Sequence, residues 1–168
     1  MKAIVLGGTN GMGRALARRM VERGDAVFLM GRDEDELVRS AAEALAMAAK
    51  ARQVVAGFSK VEGALAQGQA QALIHASDGA ADGIRKLDAI VRQKRGNPGE
   101  SQDFPQDFPI VNVLTSAELD LALGRSNVIH AALLAGPASK TFLSRCQILV
   151  RYRMADDDKT ADAARNSD

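Results

Sequence analysis

Apolar residues in this chain fall into two kinds of pattern: short unbroken runs, and longer stretches in which they recur every three or four places. The first kind predicts buried strands at 2–6, 26–30, 53–56, 70–76, 110–114 and 128–134. The second predicts helices at 12–23, 34–51, 58–66, 80–95, 116–123 and 139–150. Punctuation agrees with this division. Gly24 sits where a helix C-terminal cap belongs, Gly57 and Gly68 bracket the third helix, and Gly136-Pro137 precedes the last. Thr115 or Ser116 caps the fifth helix, with Glu118 in its first turn. The segment 96–109 holds three of the four prolines and reads as a loop. The segment 154–168, without large apolar residues from Asp156 onward, is expected to be a disordered polar tail.

Alternating strands and helices predict an α/β fold around a largely buried sheet. The 168 residues suffice for one ordinary domain, or a small domain carrying an extra unit. At 46% hydrophobic and 4% aromatic, without Trp, the core must be built from Leu, Val, Ile and Ala. The single Cys146 excludes an internal disulfide and fits a reducing, cytoplasmic setting. No apolar stretch approaches the ~20 residues that span a bilayer, so no membrane partner is expected. Arg14, Arg18 and Arg19 follow the first apolar run at once, which is unlike a signal peptide. A net charge of +1 does not by itself call for a polyanion.

The opening stretch MKAIVLGGTNGMGRALARR places a glycine cluster between a strand and a helix. There a glycine turn lets backbone approach a pyrophosphate, and the helix start offers it unpaired N–H groups. Residues 1–43 resemble the start of short-chain dehydrogenases/reductases, whose T-G-x-x-x-G-x-G turn is matched at Gly7, Gly11 and Gly13. Leu6 stands in place of the Thr. The resemblance implies a Rossmann-like βαβ unit with NADP as cofactor, held by Gly7, Thr9, Asn10, Gly11, Met12, Gly13 and Arg32. Arg32, at the end of the second strand, suits the extra phosphate of NADP, whereas the neighbouring Asp33 would suit the ribose hydroxyl of NAD. The family's Tyr-x-x-x-Lys proton shuttle is not matched, because the one tyrosine, Tyr152, is followed four places later by Asp156.

A second resemblance covers residues 44–153. The stretches QVVAGFSKVEGAL (53–65), ALIHASDGAADGIRKL (72–87) and ELDLALGRSNVIHAALL (118–134) carry it. They resemble the kink-turn RNA-binding ribosomal-protein superfamily, in the form found in the C-terminal half of YlxR-type nucleic-acid-binding proteins of bacteria. This implies a three-layer α/β/α sandwich, preceded here by the βαβ unit as in a chimaera. It also implies structured RNA as partner, in a ribonucleoprotein or ribosomal setting, without a cofactor. RNA would be gripped at Gly57, Ser59 and Lys60, at the turn carrying Asp78 and Gly79, and at Gly124, Arg125 and Asn127. The superfamily's Gly-x-Asn-Glu-x-x-Lys becomes Gly57, Phe58, Ser59, Lys60, Val61, Glu62 and Gly63. Phosphate contact by Lys60 and Arg125 thus stands in for much of the base reading.

Other constellations are weaker. Arg85, Lys86, Arg92, Lys94 and Arg95 form a basic run that reads equally as a phosphate track or a solvated helix face. His75 and His130 lie in apolar strand runs and are expected as buried, hydrogen-bonded residues on adjacent strands, not as metal ligands. No catalytic residue is assigned. The sequence thus supports non-catalytic RNA binding first, an NADP-binding reductase-like protein second, and a chain with neither activity third. The opening strands are expected either to extend the later sheet at an edge or to remain loosely folded.

Overall fold

The computed structural model describes the backbone of residues 2–6, 19–20, 22–24, 26–30, 34–95, 104–105 and 107–165. The described structure divides into two compact units, Met1–Leu37 and Val38–Asp168. In the first, β1 (Lys2–Leu6) and β2 (Ala26–Met30) pair in parallel, from Lys2 opposite Ala26 to Leu6 opposite Met30. They form a two-stranded sheet of their own and do not lengthen the later one. The glycine-turn candidates Gly7, Thr9, Asn10, Gly11, Met12 and Gly13 lie outside the described residues, as does Arg32.

Helix α1 (Glu34–Lys50) carries Glu34, Asp35 and Glu36 in its first turn and Lys50 in its last, each opposing the helix dipole. It ends without glycine. Arg52 takes the left-handed conformation at φ 59°, and the Gln53 N–H returns to the Ala48 carbonyl at 2.9 Å.

The second unit continues with β3 (Val54–Ala56), α2 (Phe58–Ala66), β4 (Ala70–His75), α3 (Ala81–Arg95), β5 (Ile110–Val111), α4 (Ser116–Leu123), β6 (His130–Leu134) and α5 (Pro137–Arg165). Its sheet has the order β3-β6-β4-β5, with β6 antiparallel to both neighbours and β4 parallel to β5. Five of the six residues of β4 are buried, and the exception, Gln71, sits at an irregularity in the register with β6. Burial at successive positions requires cover on both faces, since side chains alternate across a sheet. One face carries Leu73 and Ala132 in a cluster with Val61 and Leu65 of α2 and Leu87 and Val91 of α3. Helix α1 buries Ala41, Leu45 and Ala48, and α5 buries Phe142 and Leu149. An Arg145–Ser40 hydrogen bond of 3.0 Å joins these two helices. The architecture is the expected α/β sandwich.

Two features exceed what the pattern suggested. Phe104 and Phe108 of the proline-rich loop stack at 4.2 Å and are buried with the α2–α3 cluster, so these two residues of the loop join the core. Helix α5 starts at Pro137 and runs to Arg165, into the stretch expected to lack regular structure. Its N-terminus is served from a distance. The Gln53 carboxamide oxygen accepts the Ser139 N–H at 3.1 Å, and that side chain fills the space a Cβ on Gly136 would need.

Candidate functional site

The strand directions bring the candidate loops together. Strands β3, β4 and β5 end, and β6 begins, at one edge of the sheet, since Ala56 pairs with Ala131, His75 with His130 and Ile74 with Val111. Residues 57–60, 76–79, 112–116 and 124–129 therefore share that edge. Their backbones are cross-tied: Gly57 N–H to the His130 carbonyl at 2.9 Å, Ala76 to Ile129 at 2.8 Å, and Ser77 to Leu114 at 2.8 Å.

Gly57 sits at φ 94° and ψ 146°, a conformation that glycine adopts without Cβ strain, and turns the chain from β3 into α2. No side chain caps α2, and its first turn holds no acidic residue. Ser59 and Lys60 are exposed in that turn, and Ser59 does not act as the cap. Across from them, Gly124 ends α4 in the left-handed conformation and Asn127 follows at φ 61°. Asp120 shapes this loop by accepting from Asn127 N–H at 2.9 Å and Val128 N–H at 2.7 Å through its carboxylate, and from Arg125 N–H at 3.1 Å through its carbonyl.

Lys60 and Arg125 line one polar cleft of about 210 Å³ with Ala49, Val54, Val55, Ala56 and Leu123. Neither cation has a hydrogen-bond or ion-pair partner among the described residues. Two unneutralised charges beside an uncapped helix start make a place suited to anions.

The third candidate turn does something else. Asp78 accepts both the Ser116 hydroxyl, at 2.8 Å, and the Ser116 N–H, at 2.7 Å. These bonds, the hydroxyl's first, hold its carboxyl below the ordinary carboxylate value. A Cβ on Gly79 would come within 2.9 Å of Ile129 Cγ2 and 3.0 Å of the Ala76 carbonyl, so close packing accounts for the glycine. Asp78 and Gly79 stand at the same edge but do not line the Lys60–Arg125 cleft. The basic run of α3 is also largely engaged. Arg85 and Lys86 pair with Asp82 at 3.1 and 2.8 Å, Arg95 donates to the Phe108 carbonyl, and Lys94 lies 5.9 Å above the Phe104 ring.

Behind the loops, His75 and His130 meet as expected of neighbouring strands, with their Nδ1 atoms 2.9 Å apart in the core. The sequence reading missed the next member, Asp88 of α3, whose Oδ1 lies 3.1 Å from His75 Nε2. Its signal was present: Asp88 is the lone acid within the basic run 85–95. The Phe58 ring meets His130 edge-on at 6.0 Å. Among the described residues no group of three or more His, Cys, Asp or Glu is placed to hold a metal. No described helix is long and apolar enough to cross a membrane. Cys146 is buried in α5, and burial pushes its thiol up to about 12.

Among curated proteins, none matches this chain. A solved structure of a Bacillus halodurans protein described as having unknown function is similar at a TM-score of 0.52 and 20% identity, covering 64% of this chain and 96% of that one. At that identity the likeness is one of fold. A Giardia lamblia 15.5kD RNA binding protein reaches a TM-score of 0.49 at 17% identity, covering 69% of this chain and 89% of its own. The family model for short chain dehydrogenase matches residues 1–93, more than half of the 168. That stretch takes in the parallel β1–β2 pair and reaches into α3, and on its extent the chain belongs to the short chain dehydrogenase family.

Proposed function

We propose that this chain binds structured RNA without catalysis, through the edge where the 57–60 and 124–127 loops meet. The observation that carries the reading is the cleft shared by Lys60 and Arg125, two cations without a partner among the described residues, beside the uncapped start of α2. Phosphate oxygens supply what this cleft lacks. Ser59 and Asn127, exposed on either side, offer hydrogen bonds to sugar or base edges. The resemblance of residues 44–153 to kink-turn-binding proteins supports RNA as the polyanion. Lys60, standing where that pattern has Glu, favours grip on the backbone over reading of bases. A ribonucleoprotein in the cytoplasm is the setting this implies.

The test is a fluorescence-anisotropy titration with a stem–internal-loop–stem RNA at about 50 mM salt, where phosphate contacts are strong. Lys60→Ala and Arg125→Ala are each expected to weaken binding. Absence of any binding at that salt overturns the reading.

A second reading is favoured by the family match over residues 1–93 and the parallel β1–β2 pair. In it the glycine turn from Gly7 to Gly13, with Arg32, holds NADP(H). Asp156 in place of the shuttle lysine after Tyr152 makes this binding without hydride transfer. NADPH is then expected to protect the N-terminal segment from proteolysis, and Gly11→Asp to abolish the protection. A saturating NADPH titration that leaves the melting temperature unmoved counts against it.

A further inference from the structure

Ring nitrogens 2.9 Å apart hold one proton between them, not two. The Asp88 carboxylate, 3.1 Å from His75 Nε2, accepts, so that nitrogen carries a proton. In a neutral His75 the Nδ1 is then bare, and His130 must donate to it from its own Nδ1. The bare nitrogen of the chain is therefore His130 Nε2. Helix α3 comes so close there that a Cβ on Gly83 would lie 2.6 Å from it. The chain of donors runs His130 to His75 to Asp88, and its only open position faces a backbone that leaves little room.

The same residue ties the loop edge together. The His130 carbonyl accepts the Gly57 N–H at the entrance to α2, and its ring abuts Phe58, the first residue of that helix. Ile129, one place earlier, accepts from Ala76. A displaced His130 thus disturbs the loop carrying Ser59 and Lys60.

We propose that the His130–His75–Asp88 chain is an acid-operated latch, which when protonated releases the start of α2 and so loosens the hold of this edge on RNA. The effect on RNA rests on the function proposed above; the latch itself does not. An added proton must appear on His130 Nε2, whether the shared proton stays on His130 or passes to His75. In either case an N–H appears beside Gly83, where no acceptor is hydrogen-bonded among the described residues, and a charge enters the core on His130 or on His75. A second proton places N–H groups on both Nδ1 atoms and breaks the bond between the rings. The titratable groups facing His130 are His75 from β4 and Asp88 from α3; α2 contributes the uncharged Phe58 ring, and β3 is the apolar Val54–Ala56.

Burial first, then the field of His75, hold His130 below the ordinary value of 6.5, with Asp88 opposing. The unfolded chain therefore takes up the proton before the folded one does. Stability from this source is complete above 6.5 and declines as pH falls toward the folded value, by up to ~10-fold in the folding constant per pH unit.

The test combines thermal melts, hydrogen-exchange protection at the Gly57 amide corrected for intrinsic rates, and RNA anisotropy at constant ionic strength, all from pH 7.5 to 5.0. His130→Asn keeps a donor near the Nδ1 position but cannot be protonated, so its profile should be flat where the wild type falls. Asp88→Asn removes the charge favouring the imidazolium and should carry the fall to lower pH. Nitrogen-15 spectra at pH 7.5 should show His130 protonated at Nδ1 and His75 at Nε2; these and Asp88→Asn decide the matter should His130→Asn not fold. Reversed tautomers, a His130→Asn profile that tracks the wild type, or RNA affinity that holds steady while Gly57 loses protection would each overturn the proposal. Failure to bind RNA at pH 7.5 removes the RNA reading alone, since the melts and exchange still report on the latch.

Discussion

Asp120 directs the loop before β6 by fastening Arg125, Asn127 and Val128, the last two through charge-assisted bonds to its carboxylate. It fixes where Arg125 stands without occupying the cleft itself. Such supporting residues were the least legible in the sequence. Gly57, Lys60 and Arg125 could be placed because glycines and isolated cations stand out in a turn. Asp88 and Asp120 sit inside helices, where an acid, even one alone in a basic run, does not name its partner until the fold is known. The histidine pair fell between: two apolar runs implied neighbouring strands, but the register that aligns His75 with His130 comes from the folded sheet. Cys146 gives a prediction at this scale. With its thiol raised to about 12, roughly one in ten thousand molecules carries a thiolate at pH 8. Iodoacetamide should leave the native chain unlabelled and react promptly in denaturant; rapid native labelling would contradict the burial of this residue.

Elements were legible where a local signal marks their ends. The Thr115 hydroxyl accepts the Glu118 N–H at 3.3 Å while the Glu118 carboxylate accepts the Thr115 N–H at 2.7 Å, a reciprocal cap that T-x-x-E announces. That settles between Thr115 and Ser116, and leaves Ser116 to bond Asp78. Helix α1 ends with Arg52, not glycine, in the left-handed conformation, so nothing local marked the stop. A side chain there costs about 1 kcal/mol. Arg52→Gly should therefore stabilise the chain by up to that amount, raising the urea midpoint at constant slope; a lowered midpoint would mean that the Arg52 side chain contributes more than its backbone costs. Helix α5 escaped the sequence reading at its far end for another reason. Beyond Met154 the sequence carries no large apolar residue, but Ala, Asp, Lys and Arg sustain a helix already begun on the buried Phe142 and Leu149.

At the scale of the molecule, the α/β character followed from the alternation of patterns, and the family from the glycine-rich opening. The course of the second sheet did not. In a dinucleotide fold the strands run parallel, whereas here β6 opposes both β3 and β4. Short apolar runs carry no sign of direction; only the lengths of the connections and the packed helices decide it. That antiparallel entry of β6 brings the 124–127 loop beside the start of α2. The proposed binding through two phosphate contacts predicts a modest salt dependence, with Lys60→Ala and Arg125→Ala each reducing the slope of log K against log salt by about 1. Unchanged slopes in both variants would show that the polyanion lies elsewhere. Gln53 has a different kind of reach. Its carboxamide occupies the hollow left by the absent Cβ of Gly136 while serving the Ser139 amide 86 residues along the chain. Gly136→Ala should therefore be harmful chiefly because it evicts that carboxamide, and nearly harmless where Gln53→Ala has already vacated the hollow. Urea unfolding of the two single variants and the double should give a coupling of about 0.5–3 kcal/mol. Position 136 is then hostage to position 53: a lineage can replace the glycine only after the glutamine has gone.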